Sequence, residues 1–403
     1  MFSIQRIILF ILLLSTAQFA AAQKWLRLTK GGDSRIKEVL PLDNGRFIAI
    51  GQHFTYSDSI TLPNLMILMD TNGTELARKA FGQDGVNKKR PNKESVNKRI
   101  KSIVQLPSGA IWLVGDVQYN YAAHGLWLMQ IDPQLNIIRD TTLKEIPISN
   151  SYYLHAFEYQ NDLLIACQSY EQYQKENWRF RNRQDVRVVR LNEKLQVVQE
   201  WKSFAEVTDQ TLESLNLRDT QLRGDSLWLG IESQWTDSLY LADPRMAANG
   251  FKIVLIDLKH DHVSTWQHVQ DVSQLMTILP SDRAVYFTSK YEKIDSQKKR
   301  SWNTQMTALN FDHTIAWNHP LDPKSNVDFM QLEDQKILVG GDQNCNRGQF
   351  RFVQRWSEMG TLISEDNSFC DYSKEMVGMT YLIDGRTLLY YIDNGWFVEI
   401  QRH

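Results

Sequence analysis

One phrase recurs seven times in this chain: an apolar strand, a tight polar turn, then a more strongly apolar strand. Its instances are EVLPLDNGRFIAIGQ, SIVQLPSGAIWLVGD, HAFEYQNDLLIACQS, RDTQLRGDSLWLGIE, LMTILPSDRAVYFTS, DFMQLEDQKILVGGD and GMTYLIDGRTLLYYID. The turns use Asn, Asp, Gly and Ser, among them Asn44-Gly45, Ser108-Gly109, Asn161-Asp162 and Gly224-Asp225. These residues tolerate the positive φ that two-residue hairpin turns require. Each hairpin is followed by a third strand ending in a stop: Asp70, Asp132, Asn192, Asp257, Asn310 and, in the sixth unit, Trp356. Successive stops lie 62, 60, 65, 53 and 46 residues apart. Six of the seven units then turn into a fourth, more polar strand. A repeating unit of four antiparallel strands buries its faces by stacking on its neighbours.

The seventh unit, ending in WFVEIQR, has no fourth strand, and one spare strand stands near the other end of the chain: QKWLRLTK (Gln23 to Lys30). Its Trp25 falls where Trp201, Trp266 and Trp317 fall in other fourth strands. Pairing the two segments closes a ring and leaves no open edge to template aggregation. On these repeats residues 23–403 resemble a seven-bladed β-propeller: one all-β domain of four-stranded antiparallel blades, closed by its N-terminal strand. MDTNGTELARKAFG and NFDHTIAWNHPL resemble degenerate blade endings of quinoprotein-like propellers. That family has eight blades and adjacent cysteines beside a quinone; neither is present here, so no cofactor is expected.

Residues 1–22 read as an export signal. Arg6 precedes the apolar run Ile7 to Leu14, and Ala20 to Ala22 supply small residues for a cut after Ala22. A secreted or periplasmic protein without an integral span after cleavage is the expectation. The formal net charge of −2 gives no reason to expect nucleic acid as a partner. Three cysteines are too few for a disulfide scaffold. Cys167, in LLIACQS, reads as a buried free thiol, while Cys345 and Cys370, in polar sequence of the sixth unit, are expected to form one disulfide.

In such a ring the second-to-third-strand connections share one face with the connections between blades, and here these are the long ones. Gln52 to Asn64, Gly82 to Lys98, Ser169 to Asp185, Ser233 to Gly250 and Lys290 to Asn303 all read as loops on that face. Binding residues concentrate in such loops. The candidates are Tyr119, Tyr121, Tyr170, Trp178, Arg181, Trp235, Tyr291 and Trp302, because aromatic rings and guanidinium forks suit peptide side chains or sugars. The plainer role of the same aromatics is to pin loops onto neighbouring blades. Acidic residues recur at second-strand ends: Asp116, Glu232, Asp342 and Asp393, with Gln52, Gln168 and Ser289 as their counterparts. Around a ring they could meet at the channel mouth as paired carboxylates. Arg223-Gly224-Asp225 sits in a hairpin turn, and neither the DTNGTE nor the KHDH segment completes a metal-ligand set, so no metal is expected. The expected function is non-catalytic binding of a protein partner or a cell-envelope glycan through the long-loop face. The alternative is a glycan-active hydrolase or lyase working with the channel-mouth carboxylates.

Overall fold

The computed structural model describes residues 23–28, 34–42, 45–53, 64–72, 74–81, 96–119, 123–148, 153–175, 178–202, 204–205, 211–237, 248–269, 273–294, 300–323, 325–333, 335–345, 348–367, 375–381, 387–392 and 396–401. The proposed export signal, Tyr121, Asp393 and Cys370 lie outside them, as do the side chains of several other candidates.

The strands pair into seven four-stranded antiparallel sheets, each a consecutive stretch of chain except the last. Blades 1 to 6 occupy residues 34–81, 96–147, 154–201, 211–269, 273–321 and 325–367. The remaining sheet combines Glu375–Tyr381, Thr387–Ile392 and Trp396–Gln401 with Gln23–Arg27 as its outer strand. Gln23 lies opposite Gln401 and Arg27 opposite Phe397, so the two segments do run antiparallel, as the unpaired edges demanded. Just past this strand, the Leu28 carbonyl accepts a hydrogen bond from Arg78 on the outer strand of blade 1, at 2.6 Å.

First strands are innermost. They are Ser34–Leu42, Val96–Gln105, Leu154–Tyr159, Thr211–Arg223, Ser273–Pro280, Ser325–Glu333 and Glu375–Tyr381. Those of blades 1 and 2, 2 and 3, 4 and 5, 5 and 6, 6 and 7, and finally 7 and 1 touch each other, and blades 3 and 4 meet through Trp178–Leu191 and Thr211–Arg223. The core is divided among the gaps between blades. Ile48, Ile50, Met66 and Leu68 of blade 1 pack on Ile103, Ile111, Leu113 and Ile131 of blade 2, and equivalent clusters fill the following gaps. Alternate residues of each second and third strand face opposite gaps, which is why these strands read as continuous apolar runs. Fourth strands cover the rim and are exposed on one side, with Ile138, Val198 and Ile315 open to solvent.

The recurring polar stop is a turn-former. Asp70 Oδ1 accepts the backbone N–H of Thr74 at 2.7 Å, Asp132 Oδ1 that of Asn136 at 2.7 Å, and Asn192 Oδ1 that of Gln196 at 3.0 Å. In blade 6 the corresponding acceptor is Ser357, whose Oγ takes the Thr361 N–H at 3.0 Å. Trp356, expected as the stop there, is instead buried core. The third residue after the acceptor adopts positive φ: Leu135 (67°), Leu195 (65°), His313 (70°) and Gly360 (82°). A leucine tolerates this left-handed strain because its side chain is buried, Leu135 in the gap between blades 1 and 2 and Leu195 in that between blades 2 and 3. The blade 3 hairpin turns on Gln160 and Asn161, both at positive φ, one residue earlier than the sequence suggests.

Candidate functional site

The inner strands carry a second repeated feature, invisible in the sequence. In every blade but the third, one extra residue is bulged out of the pairing with the second strand. The bulged residues are Lys37, Lys101, Arg218, Met276, Asp328 and Val377, and they occupy one level of the ring. A bulge redirects side chains and is common beside sites. Here Arg218, Met276 and Asp328 line a cavity of about 400 Å³ between the inner strands of blades 3 to 6. The close approach explains the recurring Gly-acid pairs: a Cβ on Gly115 would sit 2.1 Å from the Arg99 carbonyl oxygen, and one on Gly341 1.9 Å from that of Asn326.

In blades 1, 2 and 4 the residue after the bulge ties its blade to the next. Glu38 Oε2 accepts both the Ser102 hydroxyl and the Ile103 N–H, each at 2.8 Å. Ser102 Oγ in turn accepts the Ala156 N–H of blade 3 at 3.2 Å. Asp219 Oδ2 accepts the Thr277 hydroxyl and, at 2.9 Å, the Ile278 N–H of blade 5. Burial pushes the Glu38 carboxyl up to about 7 and raises that of Asp219, the hydrogen bonds only partly offsetting it. Blade 3 has His155 at this position. Burial pulls its imidazole toward the neutral form, the nearby Asp219 carboxylate opposes this, and Lys37 of blade 1 adds to it. A second set of ties runs along the rim: Trp201 donates to Asp261 of blade 4 at 2.7 Å, and Trp317 to the Glu358 carbonyl of blade 6 at 3.1 Å.

Registers also place the predicted channel-mouth acids. Asp116 and Glu232 do occupy one equivalent position, with Gln52, Gln168 and Asp342; but the blade 5 counterpart is Lys290 rather than Ser289, and the seventh is Ile392. A ring of carboxylates is therefore interrupted by a cation and an aliphatic residue. Asp116 is buried and ion-paired with Arg99, which lies directly across the strands. Glu232 pairs with Arg218, whose other terminal nitrogen donates to the Tyr153 hydroxyl at 3.1 Å. Lys290 donates to Asn326 of blade 6. Gln168 donates to Gln184 and to Asn216 of blade 4, both at 2.8 Å. Glu232 lines the cavity together with Tyr153, His155, Asp219, Gln274 and Lys290; Asp116 is not part of that wall. Burial raises the Glu232 carboxyl, with the Arg218 guanidinium opposing.

Among the described residues, three of the long connections, those of blades 3, 4 and 5, begin as β-arms rather than loops. In blade 3 the strands continue to Asp162–Lys175 and Trp178–Leu191, with Tyr170 opposite Gln184, Tyr173 opposite Arg181 and Lys175 opposite Trp178. In blade 4 the pairing continues to Trp235 opposite Ala248, and in blade 5 to Ile294 opposite Arg300. Tyr291 is half-buried and Trp302 is 41% exposed, opposite Glu292. Tyr119 ends a shorter hairpin, opposite Ala123. A fully buried ion pair, Glu213 to Lys252 at 2.7 Å, anchors the base of the blade 4 arm. Cys167 is a free, buried thiol, pushed up to about 12 by burial; Cys345 ends the second strand of blade 6. The Arg-Gly-Asp turn is internal in its bonding: Asp225 accepts the Tyr159 hydroxyl of blade 3 at 2.9 Å.

Several solved structures share this arrangement over nearly the whole chain. The extracellular domains 1–2 of Drosophila Semaphorin 1a match with a TM-score of 0.50 at 8% identity, over 94% of this chain and 88% of that one. YCF48 from Cyanidioschyzon merolae matches at 0.51 and 10% identity, over 94% and 98%. The full extracellular region of Plexin A4 matches at 0.55 and 8% identity, over 93% of this chain and 47% of that one. The chain is a β-propeller. No protein-family model matches its sequence, and no curated protein does. The propeller's cavity and its three long arms belong to the same side of the ring: blades 3 to 5 carry the arms, and blades 3 to 6 line the cavity.

Proposed function

We propose that this propeller is an exported, non-catalytic binding protein whose arm-bearing face takes a protein partner. The observation that carries this reading is the unequal length of the second strands. Past the channel-level position they run seven residues in blade 3 (from Gln168), five in blade 4 (from Glu232) and four in blade 5 (from Lys290). The others run one residue past Gln52, three past Asp116, three past Asp342 and none past Ile392. Seven strand residues reach about 23 Å. Closing a propeller needs no such extension, so the arms serve something outside the ring. Their strand pairing pre-orders aromatic and arginine residues and reduces the entropy lost on binding. The channel acids support the non-catalytic side of the reading, because Asp116 and Glu232 are each committed to an arginine.

The test is a cross-linking pull-down from cell-envelope fractions, comparing the full chain with Trp178→Ala plus Trp302→Ala. Anchors of this kind contribute about 2 kcal/mol or more each, so retention of the partner is expected to fall at least about 10-fold. Equal retention by the double variant overturns the reading. Retention of a glycan instead, lost in the same variant, would reassign the partner class.

A further inference from the structure

The channel cavity carries an inference independent of the arms. Its charged wall groups each have partners, although Arg218 Nε and Glu232 Oε1 are buried without one. Arg218 bonds Glu232 and Tyr153, and Lys290 bonds Asn326. Asp219 holds the Thr277 hydroxyl and the N–H groups of Ile278 and Thr220, and Asp328 is likewise engaged. A charged ligand would have to break one of these pairs, stranding the displaced group in a half-buried wall. Two neutral polar side chains at the cavity stand apart: His155 and Gln274 have no hydrogen-bond partner among the described residues. Leu275, Met276 and Val327 also reach the cavity, Leu275 and Val327 as the edges of the buried inter-blade core and Met276 as a half-buried side chain.

We propose that this cavity binds a neutral monosaccharide unit, with His155 and Gln274 as its hydrogen-bonding contacts and Met276, backed by the edges of Leu275 and Val327, as its apolar side. The volume of about 400 Å³ falls in the range of small-molecule sites. A pyranose suits the wall because it presents hydroxyls that both donate and accept at its edge and C–H groups on its face. An amide side chain and a neutral imidazole each donate and accept as well, so they can satisfy hydroxyls without bringing a net charge. The bulge at Met276, and its counterpart Arg218, set the cavity's width by turning one residue per blade inward.

Calorimetric titration of the full chain decides it, with D-glucose, D-galactose, N-acetylglucosamine and myo-inositol as neutral probes and glucuronate and glucosamine as charged ones. At least one neutral probe is expected to bind with a Kd of about 1 mM or better. Gln274→Ala and His155→Leu are each expected to weaken it roughly 3- to 10-fold, while Val198→Ala on the exposed outer rim leaves it unchanged. Gln274 is exposed to the channel, so its truncation removes a contact without removing core. No heat from any neutral probe at 50-fold above that concentration (about 50 mM), tighter binding of a charged probe, or unaltered affinity in Gln274→Ala overturns the proposal. A sugar that binds while the arm variant loses no partner would leave this site standing and remove the arm reading; the reverse pattern would do the opposite.

Discussion

Individual residues show why the channel level is polar in a fold whose other layers are apolar. Glu38 is half-buried and its carboxyl holds two donors of the next blade. Its folded pKa of about 7 lies above the ordinary 4.5, so folding is favoured by the proton it keeps. That contribution is complete below pH 4.5 and is lost as pH rises through 7, on the order of 3 kcal/mol for such a shift. Glu38→Gln retains an acceptor for both donors and has no proton to lose. Urea midpoints measured from pH 5 to 9 are therefore expected to decline less with pH in Glu38→Gln than in the parent chain. Parallel pH profiles would show that Glu38 does not titrate in this window. Asp132 and Asn192 were legible as stops from their recurrence alone. Their partner in strain, a leucine at positive φ three residues on, was not, because only burial makes that residue tolerable there.

Among the elements, the bulged inner strand is what sequence patterning missed. A bulge inserts one residue into a run whose alternation is already blurred by burial on both faces, so no period-two signal marks it. The surviving trace is the Gly-acid pair, Gly115-Asp116 and Gly341-Asp342, read at first as a strand end. Gly115→Ala is expected to cost about 3 kcal/mol or more, since the obstructing atom is a backbone carbonyl that cannot rotate away. Thermal unfolding of Gly115→Ala beside Gly109→Ala separates close approach from turn conformation, because Gly109 has no atom within 4 Å of its missing Cβ but a φ of 82°. If Gly115→Ala melts like the parent, the carbonyl contact has been misplaced. The arms were missed for a different reason. YEQYQKENWRFRNRQD is rich in charged and amide residues, which read as loop, yet Ser169 to Lys175 pair with Trp178 to Asp185. A strand pair that extends past the blade core need not carry the core's apolar pattern, so composition misleads there.

Across the whole molecule, the last sheet borrows its outer strand from the other end of the chain, and every blade's packing depends on that closure. Deleting residues 23–30 removes one strand, exposes the edge of the Trp396–Gln401 strand and breaks the rim contact between Leu28 and Arg78. The truncated chain is expected to lose its single cooperative melting transition or to aggregate. Differential scanning calorimetry checks this, and an unchanged transition temperature would contradict a ring held by that strand. The inter-blade ties, Glu38 to Ser102, Asp219 to Thr277, Trp201 to Asp261 and Trp317 to Glu358, spread the same dependence around the ring.

Local information was enough for the core strands of each blade, most hairpin turns, the four-strand period and the spare strand that had to find a partner, because each rests on periodicity and turn chemistry within a few residues. The channel was decided only in three dimensions. Which residue of each inner strand leaves the pairing depends on a bulge, and which inner strands share the cavity depends on blades brought together from segments some fifty residues apart. Asp116 looks the same in sequence as Glu232, yet one is buried against Arg99 and the other lines a cavity beside Arg218. Both arginines come from the neighbouring strand of the same blade, Arg99 in register and Arg218 from a bulge; what the ring adds is the cavity that blades 3 to 6 build beside Glu232.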